Sequence, residues 1–334
     1  MIKIAINGFG RIGRLAFRQI VTQTDFDIVA INDLSSAEDL AYLVKYDTVH
    51  GSFHEDQITF EGNDIVVAGS KHIKVLSEAN PENLPWKDLG VDLVLECTGK
   101  FTSLEDAKKH ITAGAKKVLI SAPGKGDMKT IVYGVNDDML DGKEEVVSAA
   151  SCTTNCLAPV LNIIQKNIGI KKGLMSTIHA YTNDQATLDI SHKKGIKSRR
   201  GRASAQNIVP ATTGAATAIG EVIPELKGKM DGVAFRVPVA DGSVIDLTLE
   251  LNKNTTIDEL NRFFKDNQND TIKFTMDPIV SSDVIGKKVG AIVDGLSTSI
   301  IEADGTQLVK VVAWYDNEYG YTAQMLRSAK AMFK

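Results

Sequence analysis

One stretch near the start of the chain decides the fold: Asn7-Gly-Phe-Gly-Arg-Ile-Gly-Arg14. It follows an apolar run, residues 2–6, that is typical of a buried strand, and it opens an amphipathic helical run. In this strand–turn–helix context Gly8 permits a tight turn, Gly10 lets the backbone approach a pyrophosphate, and Gly13 lets the helix pack closely on the sheet. The stretch therefore predicts a dinucleotide-binding fold.

An acidic residue follows at the position where this fold places the adenosine ribose. A second strand, residues 28–32, ends at Asp33, which comes 20 residues after Gly13. A carboxylate there accepts hydrogen bonds from the ribose hydroxyls and repels a 2′-phosphate, so NAD is favoured over NADP. The alternative interpretation is a solvated Asp on an ordinary strand–helix turn.

The remainder of the first half alternates strands with helices. Residues 91–96 and 117–121 read as strands, and residues 103–113 between them read as a helix. Ser35-Ser-Ala-Glu38 has the spacing of a capping box for a helix that runs to about Lys45. Such alternation predicts a doubly wound, mostly parallel Rossmann sheet, and we assign it to an NAD-binding domain of residues 1–151.

The second half changes to long segments of alternating polarity. These segments cover residues 173–181, 232–239, 243–251, 297–303 and 307–314. Two of the joins carry Asp-Gly, at 241–242 and 304–305, which is a strong hairpin signal. We therefore expect an α/β protein whose second, catalytic domain, residues 152–317, is α+β with a mixed or antiparallel sheet. The closing helix, residues 318–334, is expected to complete the first domain.

Composition limits the class of protein. The 334 residues are 43% hydrophobic and 24% charged, with 38 basic and 42 acidic residues and a net charge of −4. These values exclude a disordered chain, a collagen and a coiled coil, and they do not favour nucleic acid as the main partner. No apolar stretch approaches the ~18 residues of a membrane span. The low, odd count of cysteines predicts a reducing compartment, the cytoplasm.

Cys152 is the residue most typical of covalent catalysis. It lies at a strand-to-helix junction in a polar setting, with Ser151 as a possible N-cap. The N-terminus of a helix lowers the pKa of a thiol and favours the nucleophilic thiolate. Cys156, one turn further on, and Cys97, at the end of an apolar strand, are interpreted as packing residues. No metal site is expected, because the Cys152 and Cys156 pair has no second pair or nearby histidine at zinc spacing.

Several polar side chains are candidates to assist such a thiol. His179, near the end of a strand, is the best partner, although a histidine of this kind can also be structural. Arg236, at another strand end, suits phosphate or carboxylate recognition or an interdomain salt bridge. The small-residue turn 212–216 suits an anion nest or a helix cap. The other histidines are expected on the solvated surface: His50, His54, His72, His110 and His192.

The motifs taken together resemble one family, the phosphorylating glyceraldehyde-3-phosphate dehydrogenases. The resemblance extends in order from the first residues to the last helix. It rests on the glycine stretch quoted above and on Ser151-Cys-Thr-Thr-Asn155, His179-Ala-Tyr-Thr182, Thr213-Gly214, Arg236-Val-Pro238 and Trp314-Tyr-Asp-Asn-Glu-Tyr-Gly320.

The resemblance implies a role for each of these residues. Cys152 is the implied nucleophile and His179 the implied general base. Thr182 and Arg236 are implied to hold the phosphate of the substrate. The implied ligands of inorganic phosphate are Ser151, Thr153, Arg200, Thr213 and Gly214. The implied NAD contacts are Gly8, Gly10, Arg11 and Ile12 through the backbone, Gly13, Asp33, Ser121, Asn317 and Tyr321.

The implied activity belongs to glycolysis and gluconeogenesis. Glyceraldehyde 3-phosphate, NAD and inorganic phosphate give 1,3-bisphosphoglycerate and NADH, through a cysteine hemithioacetal and then a thioester. A homotetramer is implied, with the basic segment 193–202 crossing a subunit interface. Two alternatives stay open: an erythrose-4-phosphate dehydrogenase, and a secondary polyanion-binding role for the basic segment.

Overall fold

The computed structural model describes all 334 residues and consists of two compact units. The first unit contains residues 1–131, 137–151 and 325–334, and the second contains residues 132–136 and 152–324. One boundary thus falls between Ser151 and Cys152. The closing helix divides after Gln324, so residues 318–324 belong to the second unit and only the end of the helix belongs to the first.

The first unit is built on a nine-stranded sheet. Its strands are β1 (Ile2–Asn7), β2 (Phe26–Asn32), β3 (Ile58–Glu61), β4 (Asp64–Val67), β5 (Lys71–Leu76), β6 (Leu93–Glu96), β7 (Lys117–Ile120), β8 (Lys129–Thr130) and β9 (Val146–Ser148). The order is β3-β4-β5-β2-β1-β6-β7-β9-β8. The strands from β5 to β8 pair in parallel, and only β3 and β4 run antiparallel to their neighbours. The expectation of a doubly wound, mostly parallel sheet is confirmed.

Four helices accompany this sheet: α1 (Arg11–Ile20), α2 (Ala37–Lys45), α3 (Trp86–Leu89) and α4 (Leu104–Thr112). The cap of α2 is Ser36, whose hydroxyl accepts from the Asp39 amide at 3.1 Å, one residue later than the predicted capping box. The Ser35 amide donates to the Asp33 carboxylate in the preceding turn, so it does not make the reciprocal bond to Glu38 that a capping box requires. A serine precedes an acidic residue by three positions twice, as Ser35 with Glu38 and as Ser36 with Asp39, so the spacing alone does not identify the cap.

Three polar residues end the central strands side by side. Asn32, Asn7 and Glu96 are in register across β2, β1 and β6. Glu96 contacts His110 of α4, and both side chains are fully buried. The prediction that His110 is solvated was therefore wrong, because α4 turns this residue toward the sheet, where Trp86 and Glu96 satisfy its ring nitrogens.

The second unit is built on an eight-stranded sheet. Its strands are β10 (Ile170–Ala180), β11 (Val209–Thr212), β12 (Met230–Val237), β13 (Ser243–Leu251), β14 (Ile272–Thr275), β15 (Ala291–Asp294), β16 (Ser299–Ala303) and β17 (Thr306–Tyr315). The order is β11-β12-β10-β13-β17-β15-β14, with β16 paired to β17. Parallel and antiparallel pairs both occur, so the expected mixed sheet is confirmed. The remaining helices are α5 (Cys152–Asn167), α6 (Ile219–Val222), α7 (Ile257–Asp266) and α8 (Tyr319–Ala331).

The two Asp-Gly joins behave differently. Asp304 and Gly305 connect β16 to β17 as a two-residue hairpin, with φ values of 51° and 73°. The hairpin predicted at Asp241-Gly242 is wrong, because β12 and β13 both pair with β10, which lies between them. Gly242 serves close packing instead, since a Cβ there would lie 2.2 Å from the carbonyl oxygen of Ser281.

Candidate active site

The predicted nucleophile and base lie next to each other in the second unit. Cys152 is the first residue of α5, and His179 is the penultimate residue of β10. The Cys152 Sγ is 3.4 Å from the His179 Nε2, within hydrogen-bonding reach. The structure therefore brings these two residues into the geometry that proton transfer from a thiol requires.

The ring of His179 is held on its other side. Its Nδ1 lies 2.7 Å from the carbonyl oxygen of Ala180, and the Arg236 Nη1 lies 2.9 Å from both. A carbonyl oxygen has two lone pairs, so it can accept from the imidazole and from the guanidinium together. Because a carbonyl oxygen can only accept, the shorter contact places the proton on Nδ1 and leaves the unprotonated Nε2 facing the sulfur, while Arg236 Nη1 donates to the oxygen and not to Nδ1. The parallel register that pairs His179 with Arg236 explains why the two side chains meet.

Burial and charge set the protonation states of this pair. Burial raises the pKa of the Cys152 thiol, and the positive charge of Arg236 opposes that rise. Burial, together with Arg236, lowers the pKa of His179 to about 3. The expected lowering of the thiol pKa by the helix N-terminus is outweighed by burial. At neutral pH a neutral imidazole thus faces the thiol and can accept its proton.

A buried tyrosine organises the floor of this site. The Tyr315 hydroxyl lies 3.0 Å from the Thr153 hydroxyl and 2.9 Å from the Thr177 hydroxyl. The Tyr315 ring packs edge-on against His179, with centroids 5.9 Å apart. Burial raises the pKa of Tyr315 far above its ordinary value, so the phenol stays protonated and can donate one hydrogen bond. Thr153, predicted as a phosphate ligand, already has this partner.

Two groups of polar atoms in the second unit suit anions. The Arg236 Nε is buried and has no hydrogen-bond partner, which is the condition expected of a guanidinium that awaits an anionic ligand. Separately, Arg200 and Thr213 line one cavity of about 450 Å³, together with Lys194, Lys197 and Arg199. Arg200 forms an ion pair with Asp184. The structure thus groups Arg200 with Thr213, as predicted for one anion site.

Other predicted phosphate ligands lie in the turns around these groups. Thr182 opens a turn in which its carbonyl oxygen accepts from the Gln185 amide at 2.9 Å. A Cβ at Gly214 would meet nothing within 4 Å, so its backbone is open. Sequence reasoning missed Gln185, whose side-chain amide atoms are both buried without a partner. No motif in the sequence marks that residue.

The glycine loop of the first unit has the shape of a dinucleotide cradle. Gly8 has a φ of 90°, and a Cβ there would lie 2.6 Å from the Thr98 amide nitrogen. A Cβ at Gly13 would lie 2.2 Å from the Gly8 carbonyl oxygen, so α1 packs directly on the turn. Gly10 has open space around it, as the approach of a pyrophosphate requires. The predicted Ile12 is in the first turn of α1.

The remaining cofactor residues are placed as follows. The Asp33 carboxylate accepts from the Phe9 amide at 2.8 Å, so it lies beside the glycine loop. The Arg11 side chain forms an ion pair with Asp47. Ser121 follows β7 in the first unit, whereas Asn317 and Tyr321 belong to the second unit.

Comparison with known proteins decides the family. A family model described as the NAD binding domain of glyceraldehyde 3-phosphate dehydrogenase matches residues 2–104, and the C-terminal domain of the same enzyme matches residues 151–317. The chain belongs to the glyceraldehyde-3-phosphate dehydrogenase family. NAD is its cofactor, as the glycine loop and Asp33 predicted, and the protein is an oxidoreductase of this family, as the resemblance implied.

Individual members of the family cover the whole chain. Glyceraldehyde-3-phosphate dehydrogenase of Clostridium pasteurianum is 54% identical over 334 residues, which are all of this chain and 99% of that protein. The enzymes of Clostridium acetobutylicum and Streptococcus pyogenes are 53% and 52% identical, over 98% and 100% of this chain and 97% and 99% of their own lengths. These names do not favour the erythrose-4-phosphate alternative. No helix has the length and apolar character needed to cross a membrane.

Proposed function

We propose that the protein oxidises and phosphorylates glyceraldehyde 3-phosphate, with NAD and inorganic phosphate, to 1,3-bisphosphoglycerate and NADH. The observation that carries this proposal is the pairing of Cys152 with His179 at 3.4 Å, beside the buried guanidinium of Arg236. Family membership and the names of the relatives support the choice of aldehyde. We propose that this reaction is a step of glycolysis and gluconeogenesis, as the resemblance implied.

The first chemical step belongs to the thiol. As the Cys152 sulfur bonds to the aldehyde carbon, His179 Nε2 takes the thiol proton and passes it to the aldehyde oxygen, so a hemithioacetal with a hydroxyl group forms. His179 stays in place because Ala180 holds its Nδ1. His179 Nε2 takes the hydroxyl proton as a hydride leaves the same carbon, and NAD bound in the first unit would supply the hydride acceptor. Cys152 then holds the acyl group as a thioester, which retains the energy of the oxidation and is open to attack by a phosphate oxygen.

Two phosphates must be bound, and we propose a separate group of residues for each. Arg236, with its unpartnered Nε, and Thr182 hold the phosphate of the substrate. The proposed ligands of inorganic phosphate are Ser151, Thr153, Arg200, Thr213 and Gly214. Support for the second group comes from the cationic cavity that Arg200 and Thr213 share.

We propose the NAD diphosphate and adenosine site on the first unit. Gly8, Gly10 and Gly13, with the backbone of Arg11 and Ile12, receive the diphosphate, and Asp33 receives the adenosine ribose. Ser121 and Asn317 are proposed near the nicotinamide, with Tyr321 packed against it. The open backbone at Gly10 supports this arrangement, because a diphosphate needs close approach to amide groups.

Assembly and location are also proposals. We propose a homotetramer, with segment 193–202 at a subunit interface. Support comes from Leu188, Ile190 and Ile196, large apolar side chains that are largely exposed in the single chain around this segment. We propose the cytoplasm as the location, because the mechanism needs a reduced Cys152, and all three cysteines are free thiols in the structure.

The test is NADH formation by purified protein with NAD and glyceraldehyde 3-phosphate, with and without inorganic phosphate. Steady turnover that depends on phosphate is the expected result. A stoichiometric burst that stalls even with phosphate would mean that the phosphate ligands are misassigned. Folded protein that binds NAD but forms no NADH from this aldehyde would overturn the proposed substrate.

A further inference from the structure

A chain of buried side chains connects the glycine loop of the first unit to α3 and α4. Asn32 Nδ2 donates to Asn7 Oδ1 at 2.7 Å, and Asn7 Nδ2 donates to Glu96 Oε2 at 2.5 Å. The same carboxylate oxygen lies 3.1 Å from His110 Nε2. Trp86 Nε1 lies 3.0 Å from His110 Nδ1 and closes the chain. None of these side chains has a role in the chemistry proposed above.

Trp86 fixes the protonation state of His110. An indole nitrogen can only donate a hydrogen bond, so His110 Nδ1 must be the acceptor. An imidazole that accepts at Nδ1 is neutral and carries its single proton on Nε2. That proton points at Glu96, since the distance from His110 Nε2 to the carboxylate is 3.1 Å. The pair is therefore a neutral histidine that donates to a carboxylate.

The Glu96 carboxylate is saturated by four donors. One oxygen receives Asn7 Nδ2 and His110 Nε2, and the other receives both the amide and the hydroxyl of Thr98, the amide at 2.8 Å. A carboxylate has about four lone-pair sites, so every site has a partner. An arrangement of this kind holds the carboxylate in one orientation, and it holds the four donors in return.

Two of these donors come from Thr98, which lies in the turn beside the glycine loop. Thr98 is the residue against which Gly8 packs so closely that a Cβ would lie 2.6 Å from its amide nitrogen. The Gly8 amide donates to the Asn32 carbonyl oxygen at 2.8 Å. The Glu96 carbonyl oxygen accepts from the amide of Ser121 at 3.0 Å. Glu96 thus lies at the centre of the glycine turn, the 98–99 turn and the 121 turn.

We propose that Glu96 is a positioning residue for the NAD site and that His110 and Trp86 keep its carboxylate aimed at Thr98 and Asn7. His110 and Trp86 are fully buried, and His110 Nε2 lies 3.1 Å from the Glu96 carboxylate and 3.4 Å from Asn7 Nδ2, so their influence on the cofactor passes through these two side chains. This inference rests on the NAD site proposed on the first unit. According to this inference, the affinity for NAD depends on buried residues that do not themselves touch the cofactor.

The direct test is Glu96→Gln, which keeps the shape of the side chain and replaces one acceptor oxygen with a donor. A buried donor then faces donors from Asn7 and His110 or from Thr98, so the turns shift. The Kd for NAD, measured by calorimetry, is expected to rise about tenfold, and the KM for NAD with it. The kcat at saturating NAD and the KM for the aldehyde are expected to stay within about twofold.

Trp86→Phe tests the same unit from its far end. The variant keeps the buried ring but removes the indole N–H, so the tautomer of His110 is no longer fixed. Nitrogen-15 spectra of the wild-type protein should show His110 protonated at Nε2 alone, and the variant should lose that pure signature. The Kd for NAD is expected to rise about two- to threefold. A wild-type spectrum with His110 protonated at Nδ1 would overturn the proposal directly, even where Glu96→Gln does not fold.

A matched control separates positioning from loss of stability. Phe26 is buried at the first residue of β2, at the opposite end of that strand from Asn32. Phe26→Leu should lower the melting temperature without changing the Kd for NAD. If Phe26→Leu and Glu96→Gln weaken NAD binding equally, Glu96 acts only through stability and the proposal fails. The proposal also fails if Glu96→Gln folds and binds NAD with the wild-type Kd. If the wild-type protein itself does not bind NAD, the proposed function is overturned instead.

Discussion

Two cysteines lie four residues apart on α5, and their surroundings differ. Cys152, at the first residue, is half-buried, has His179 Nε2 at 3.4 Å, and feels the positive charge of Arg236. Cys156, one turn later, is fully buried, and its sulfur has only a weak contact, 3.9 Å from the carbonyl oxygen of Ala313. Burial raises the pKa of Cys156 well above its ordinary value, with no cation to oppose it.

The difference shows what makes a thiol reactive in this fold. The same residue type on the same helix has the surroundings expected of a nucleophile where a base and a cation meet it, and those of a packing residue where they do not. The strand register supplies those neighbours, since His179 and Arg236 are paired residues of β10 and β12. Replacing each cysteine, or the histidine or arginine beside Cys152, should therefore have a distinct effect.

The largest effect is expected from Cys152→Ser. A hydroxyl is a far weaker nucleophile, so steady-state turnover should fall by roughly 10⁴-fold or more, while the Kd for NAD stays near the wild-type value. NADH formation and calorimetry with NAD measure the two quantities. Cys156→Ser is the matched control on the same helix, and its loss of turnover to the same degree would contradict the assignment of the nucleophile.

His179→Asn should have the next largest effect. Without Nε2 opposite the sulfur, no group takes the thiol proton as the bond to the aldehyde forms, so kcat should fall by about 10²- to 10⁴-fold. The rate of Cys152 alkylation by iodoacetamide should fall as well. The control is His110→Asn, a second buried histidine, for which kcat at saturating NAD should fall far less. An alkylation rate unchanged by His179→Asn would exclude the base role.

Arg236→Leu should shift the pH dependence of the thiol. The Arg236 charge lowers the pKa of Cys152 and the pKa of His179, so removing it should raise both. The thiolate fraction at neutral pH then falls, and the midpoint of the alkylation rate against pH moves upward. The KM for the aldehyde should rise about 10- to 100-fold through loss of the phosphate contact. Arg236→Lys keeps the charge and should restore the midpoint more fully than the KM.

The smallest effect is expected from Cys156→Ala. The side chain is packed among apolar residues, so its truncation should cost about 1 kcal/mol of unfolding free energy. The kcat and both KM values should stay within about twofold of wild type. Denaturant unfolding and steady-state kinetics provide the measurements. A kcat lowered tenfold with unchanged stability would show that Cys156 takes part in the chemistry.

Local sequence signals predicted the parallel sheet of the first unit. The two Asp-Gly joins show that such signals do not predict which strands pair with each other. The dipeptide at 304–305 connects strands that pair with each other, and its two positive φ values need only residues within the turn. The dipeptide at 241–242 has the same local signal, but β10 separates β12 from β13. Which strand lies between two others depends on residues far away in sequence, so no local pattern contains it.

The candidate site shows the same limit. Cys152 and His179 were predictable because polar motifs mark them at a helix start and a strand end. Gln185 has no motif, and its unpartnered amide atoms become visible only when the loop is folded. His110 directly follows two lysines, Lys108 and Lys109, which is typical of a surface position, and only the packing of α4 against Glu96 buries it. Burial of a single polar residue is a property of the tertiary structure.

The pairing of β10 with β12 also has a consequence for folding kinetics. The two strands are joined by residues 181–229, and that long segment must close before His179 lies beside Arg236. Closing a loop of this length costs chain entropy that only the completed strand contacts repay. During refolding we therefore expect helix content and the local hairpin at 304–305 to form before the assembled site. Recovery of activity should then lag behind the recovery of the helical signal.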